Sequence, residues 1–204
     1  MAAPSTPPTV LVIASGNAGK VREFGALLAD LGLETRPQPE GLEVEETGAT
    51  FAANAKLKAQ AVAQATGQWA LADDSGLSVD ALGGAPGVHS ARYANGDAAR
   101  IERLLQELAA AGALSPTARS ARFTAALALA NPAGETVLEV EGHCPGQILE
   151  APRGTGGFGY DPVFFVPEAG LTFAEMPQSL KAQLGHRGRA FALLKPQLQG
   201  VLQA

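Results

Sequence analysis

The chemistry-bearing residues of this 204-residue chain gather beside turn formers. The first group is Ser15, Gly16, Asn17, Ala18, Gly19 and Lys20, which follows a short β-branched apolar run and precedes a helical pattern. A loop between a strand and a helix presents free backbone amides to an anion, and the lysine adds charge, so a triphosphate could be cradled there. The spacing is not that of a P-loop, since no Ser or Thr follows Lys20 to hold magnesium. An ordinary tight turn with a surface lysine is the competing reading.

The second group is acidic. Glu43, Glu45 and Glu46 precede a helix, and Asp73 and Asp74 follow an apolar run at positions 69–72. Magnesium prefers oxygen ligands and needs only one or two carboxylates beside substrate phosphates, while a further carboxylate can deprotonate a water. Asp74 is the choice for that second role. Each glutamate taken alone reads as part of a solvated loop, since charge runs are usually exposed. Adjacent aspartates repel one another, so a cation or an anchoring network is needed to make sense of them.

The third group is the glycine-rich run Thr155-Gly156-Gly157-Phe158-Gly159-Tyr160-Asp161. Small residues let a ligand approach the backbone, and the two aromatics offer stacking faces for a flat base. A glycine-rich bend whose aromatics fill the core is the alternative. The fourth is Lys181 with His186 and Arg187, three donors that would attract keto oxygens or phosphates, or else surface charge at a helix end. His89 and His143 read as structural or surface residues, and Phe164 and Phe165 as core.

These groups need elements to hold them. The pattern predicts a strand at 10–14, a helix from about 21 to 31 with apolar positions at Val21, Phe24, Leu27, Leu28 and Leu31, and an alanine-rich helix at about 50–66. A strand at 69–72 ends at Asp73, and an amphipathic helix spans 97–111. A hairpin pairs 123–130 with 136–140 across the turn 131–134, then come the glycine-rich stretch, an apolar run at 163–166 and a last helix at 188–202. The fold class is therefore α/β with a mixed sheet.

Composition bounds the alternatives. With 46% hydrophobic residues the chain can bury one good-sized core, and we read residues 10–204 as a single domain behind a frayed tail at 1–9. A net charge of -5, from 15 Lys plus Arg against 20 Asp plus Glu, offers no basic track for a nucleic-acid polymer. Cys144 is the only cysteine, which fits a reducing, cytoplasmic home, and neither a signal peptide nor a membrane anchor is visible at the N-terminus.

Taken in order, five blocks closely resemble the inosine triphosphate pyrophosphatase family, whose members remove nonstandard purine nucleotides. They are SGNAGKVREF at 15–24, EETGATFAANAKLKA at 45–59, ADDSGLSVDALGGAPGVHSARYA at 72–94, GTGGFGYDPVFF at 154–165 and HRGRA at 186–190. The resemblance implies an elongated mixed sheet with flanking helices, forming two lobes around a substrate cleft. It implies hydrolysis of dITP, ITP, XTP or dXTP to the monophosphate and pyrophosphate, with Mg2+, by a homodimer.

Residue by residue, it implies that Ser15 to Lys20 bind the triphosphate, that Glu45 and Asp74 bind magnesium, and that Asp74 is also the general base. Whether Glu45 or Glu46 is the ligand stays open. Ser75 would touch the substrate, Phe158, Gly159, Tyr160, Asp161, Lys181, His186 and Arg187 would form the nucleoside pocket, and Asn54 and Lys58 would support the phosphates. The chain departs from the family pattern at Ser179, Leu180 and Gly185, which affects loop detail. The rivals are a related septum-inhibitor-like pyrophosphatase, a nucleotide sensor that releases its ligand intact, and an RNA-binding module.

Overall fold

Seven strands hydrogen-bond into one sheet in the order β2-β1-β3-β4-β5-β6-β7 in the computed structural model, which describes residues 9–202. The expected tail at 1–9 lies, apart from Thr9, outside the described residues. β1 (Val10–Ala14) is parallel to both β2 (Glu34–Pro37) and β3 (Trp69–Val79). β3, β4 (Ser120–Ala130), β5 (Thr136–Ile148), β6 (Phe164–Val166) and β7 (Leu171–Thr172) are successively antiparallel. The mixed α/β architecture is thus as the sequence implies.

Period-two alternation sends β-strand side chains to opposite faces, and two helical layers cover the first half of the sheet accordingly. On one face Leu11, Ile13, Leu71, Leu127 and Leu129 pack under α1 (Ala18–Leu28) and α5 (His186–Leu202). On the other, Val12, Ala14, Ala70, Ala72, Ala126 and Ala128 meet Ala55, Ala59, Val62 and Ala63 of α2 (Phe51–Thr66). Alanine against alanine lets α2 lie close to the strands. Thr50 caps α2 by accepting the Ala53 N–H at 3.1 Å, and Gly67 ends it at a φ of 62°.

One expectation needs correcting. β3 does not end at Asp73: it runs eleven residues, because β4 pairs with it from Ala70↔Ala130 to Val79↔Ala121. Only β1 stops there, with Ala14 opposite Ala72. Past that point β3 and β4 enter a third core, in which Leu77, Val79, Phe123, Ile148, Phe164 and Phe173 pack with Leu104 and Leu108 of α3 (Asp97–Ala110). Two lobes are therefore strung on the long strands β3, β4 and β5, and the gap left by the end of β1 is where they part.

Two smaller departures follow from local packing. Lys181 lies on a short helix of its own, α4 (Gln178–Leu184), and α5 starts at His186, two residues before the expected Gly188. A Cβ at Gly188 would run into the Ala182 carbonyl, so the close crossing of α4 and α5 depends on that glycine. Cys144 faces the third core, and burial pushes its thiol up to about 11, leaving it an unreactive apolar filler.

Candidate active site

A cleft of about 500 Å³ opens between the lobes, bordered by the end of β1, the middle of β3 and the glycine-rich run. Ser15, Gly16, Asn17 and Lys20 border it, whereas Ala18 and Gly19 stand in the first turn of α1 and do not. Several of the loop amides are already engaged. Asn17 caps α1, its Oδ1 accepting the Gly19 and Lys20 N–H groups at 2.8 and 3.1 Å, and Ser15 Oγ accepts the Asn17 N–H at 3.1 Å. An anion that uses those three amides must displace the side-chain oxygens. A Cβ at Gly19 would sit 3.2 Å from the Phe158 ring, so this turn already touches the glycine-rich run.

The two adjacent aspartates do not confront each other, because they lie within a strand and point to opposite faces. Asp73 joins the α1 and α5 side, where its Oδ2 accepts from Lys20 Nζ at 2.8 Å, Ser75 Oγ at 3.1 Å and Arg187 Nε at 3.3 Å. Burial alone would raise its pKa, but Lys20 and Arg187 outweigh that and hold the carboxyl well below the usual range. The cost falls on Lys20, whose pKa is lowered by burial and by neighbouring Arg187 and Lys58 despite Asp73.

Asp74 points to the α2 side. Lys58 of α2 donates to Asp74 Oδ1 at 3.0 Å and to Glu46 Oε1 at 2.9 Å. Burial would lower the Lys58 pKa, yet the two carboxylates raise it, and Lys58 with Arg92 in turn pulls Glu46 down against its own burial. Glu46 Oε2 accepts from Arg92 Nη1 at 3.2 Å across the cleft. Glu45 is exposed and does not border the cleft, so of the two neighbours Glu46 is the one beside Asp74. Asn54 is buried away from the cleft lining, where its Oδ1 accepts the Gly48 N–H at 2.7 Å and pins the acidic loop.

The three expected donors are unequal: His186 and Arg187 border the cleft, whereas Lys181 does not. Arg187 is held through all three nitrogens, with Nη1 on Glu23 at 2.8 Å, Nη2 on Ser75 at 2.7 Å and Nε on Asp73. Lys181 is held by Asp161 at 2.6 Å and Glu23 at 3.6 Å. His186 stacks on Phe123 with centroids 4.8 Å apart, and its buried Nδ1 has no partner. Burial, reinforced by Arg187, drives its pKa well below the usual imidazole value, so it is neutral at pH 7.

The aromatics of the glycine-rich run divide likewise. Tyr160 is core, its hydroxyl donating to the Ser90 carbonyl at 2.9 Å, while Phe158 is half-buried at the cleft, 5.3 Å from Lys181 Nζ and 5.6 Å from the Arg187 guanidinium. Asp161 Oδ2 accepts the Phe158 N–H at 3.0 Å, and Gly159 N–H donates to Asp97 at 2.8 Å, so the run is tied to the first turn of α3. A second cavity of about 310 Å³ lies between α1 and α4, and His186 and Arg187 border both cavities.

Among the described residues no three His, Cys, Asp or Glu side chains form a ready-made metal cage. A hard divalent ion nevertheless fits beside Asp74: its Oδ2 is buried without a partner, and one ammonium already reaches both Asp74 and Glu46. Two carboxylates plus phosphate oxygens satisfy such an ion. The sequence reading missed Glu23, which ties Lys181 to Arg187, and Arg92. Glu23 lies three positions after Lys20 on α1, and nothing local marks its partners.

The family model described as the Ham1 family matches residues 11–197. A dITP/XTP pyrophosphatase of Synechococcus sp. strain CC9311 is 66% identical over 194 residues, covering 95% of this chain and 92% of the relative. One of Parasynechococcus marenigrum is 63% identical over 195 residues, covering 95% and 97%. A solved HAM1 protein from Coxiella burnetii superposes with a TM-score of 0.83 at 43% identity, covering 96% of this chain and 98% of its own. The resemblance carried by the five blocks is borne out. No helix among the described residues is long and apolar enough to cross a membrane.

Proposed function

We propose, for a chain that belongs to the Ham1 family, that it hydrolyses nonstandard purine nucleoside triphosphates (dITP, ITP, XTP, dXTP) to the nucleoside monophosphate and pyrophosphate. The names of its close relatives support this substrate class. The observation that carries the chemistry is the buried, unpartnered Oδ2 of Asp74 at the cleft, beside Glu46 and Lys58.

In this reading Asp74 takes a proton from a water, whose oxygen bonds to the α-phosphorus while the bond to the bridging oxygen breaks and pyrophosphate leaves. Glu46 and Asp74 hold the magnesium, which when bound neutralises charge on the phosphate oxygens. Lys20 and the Ser15–Asn17 turn receive the phosphates, which requires Lys20 to loosen from Asp73. The base lies by Phe158. Asp73, Glu23 and Asp161 hold Arg187 and Lys181 in place, which leaves the neutral His186, whose Nδ1 has no partner, to meet a 6-oxo group as donor. An adenine amine there would face another donor, and an unmatched buried donor is costly.

The reading extends to a homodimer of this chain in the cytoplasm, and gel filtration tests the assembly. The activity is tested by pyrophosphate release from deoxyinosine, xanthosine, deoxyguanosine and deoxyadenosine triphosphates, each with magnesium and with chelator. Fast, magnesium-dependent release from the first two alone is expected. Binding without release from any of the four would instead make the protein a nucleotide sensor.

A further inference from the structure

Glu46 has both carboxylate oxygens occupied by cations from opposite sides of the cleft. Oε1 accepts from Lys58 at 2.9 Å and Oε2 from Arg92 at 3.2 Å. Each oxygen keeps a second lone pair for a divalent ion, but two cations beside Glu46 repel that ion and compete with it for the carboxylate. The two cations differ in how firmly they are held. Lys58 is only 14% exposed and bridges two carboxylates, whereas Arg92 is 54% exposed and has Glu46 as its one ion-pair partner among the described residues. Removing Lys58 strands a buried charge; swinging Arg92 into water costs little, as exposed ion pairs generally do.

Arg92 also borders the same cleft as Lys58 and Asp74, but from the far lobe, on the segment that follows β3. Once released, its guanidinium is a free five-donor fork facing the space where a polyphosphate must lie, and that geometry suits phosphate oxygens in pairs. Resting on the phosphohydrolase reading above, we infer that Arg92 is a mobile substrate-binding residue. It leaves Glu46 when the divalent ion arrives and then grips the pyrophosphate half of the substrate, closing the far lobe over the leaving group. In the free enzyme it stands guard on Glu46 as a competitor of the metal.

The test uses Arg92→Met and Arg92→Lys in the full chain. Manganese affinity is read by electron paramagnetic resonance without nucleotide, product inhibition is read with pyrophosphate, and binding of inosine monophosphate serves as the control. Arg92→Met should bind manganese several-fold tighter, because the competitor is gone. It should be inhibited by pyrophosphate about tenfold less, the size of one charge-assisted contact, with inosine monophosphate binding unchanged and Arg92→Lys in between. A merely structural tie to Glu46 would move the metal affinity and leave pyrophosphate inhibition alone. That result, or equal weakening for both products, overturns the inference while the hydrolase reading stands. A wild-type enzyme that releases no pyrophosphate overturns both.

Discussion

The two faces of β3 at Asp73 and Asp74 carry the same side chain one residue apart, and they do opposite things. On the α1 and α5 face Asp73 is a tight knot: Lys20, Arg187 and Ser75 converge on Oδ2, Oδ1 is buried without a partner, and Arg187 also reaches Ser75 and Glu23. On the α2 face Asp74 shares one ammonium with Glu46 and keeps a buried oxygen unpartnered at the cleft. Each carboxylate keeps one buried oxygen without a partner, but Asp73 is gripped by two cations and does not border the cleft, whereas Asp74 shares one cation and borders it. A carboxylate at a cleft with one cation beside it is available for chemistry, whereas one enclosed between two cations orients its neighbours.

Breaking the knot should have the largest effect. Asp73→Ala leaves Lys20 and Arg187 buried side by side without their shared counter-charge, and losing one member of a buried ion pair costs about 3–5 kcal/mol. Urea denaturation should show that loss directly. A loss below about 1 kcal/mol would mean that Glu23 and water replace Asp73, and the comparison would fail on its structural side.

Asp74→Asn is the counterpart. Lys58 keeps Glu46, so no cation is stranded and the urea midpoint should move little, while turnover of deoxyinosine triphosphate should fall by about 10²-fold or more, as expected for removal of a general base. A variant that keeps most of its turnover would take the base role from Asp74. Substituting Glu46 by Gln beside it tests the metal role, through a higher magnesium requirement at a similar fold stability.

How much of this was legible in the sequence depended on whether the determinant is local. α2 was readable because its cap Thr50, its alanine stripe and Gly67 all sit within the helix or next to it. The hairpin was readable from its turn, although β5 runs on to Ile148, beyond the apolar alternation. That Asp73 lies inside a strand was not readable, since the pairing that extends β3 comes from β4, with Leu127 opposite Asp73. Glu23 was hidden because Arg187 is 164 positions away. Glu45 and Glu46 could not be separated, because an irregular loop has no period to tell which side chain turns inward.

The smallest expected effect again belongs to the closed face. His186 is buried beside Arg187, so its folded pKa is below its unfolded value of about 6.5. The unfolded chain then binds the extra proton first, and stability rises with pH through this window. His186 therefore contributes nothing unfavourable above about pH 6.5, and stability is lost as pH falls below it, at up to about 1.4 kcal/mol per pH unit for one proton. His186→Gln removes that linkage while keeping a polar side chain, and the exposed His89 and His143 are common to both proteins and cancel. Between pH 7.5 and 5.5 the wild type should lose more stability than the variant in parallel thermal melts. Equal slopes would mean that the imidazole accepts its proton in place, and the α1 and α5 face would then be as open to new charge as the α2 face.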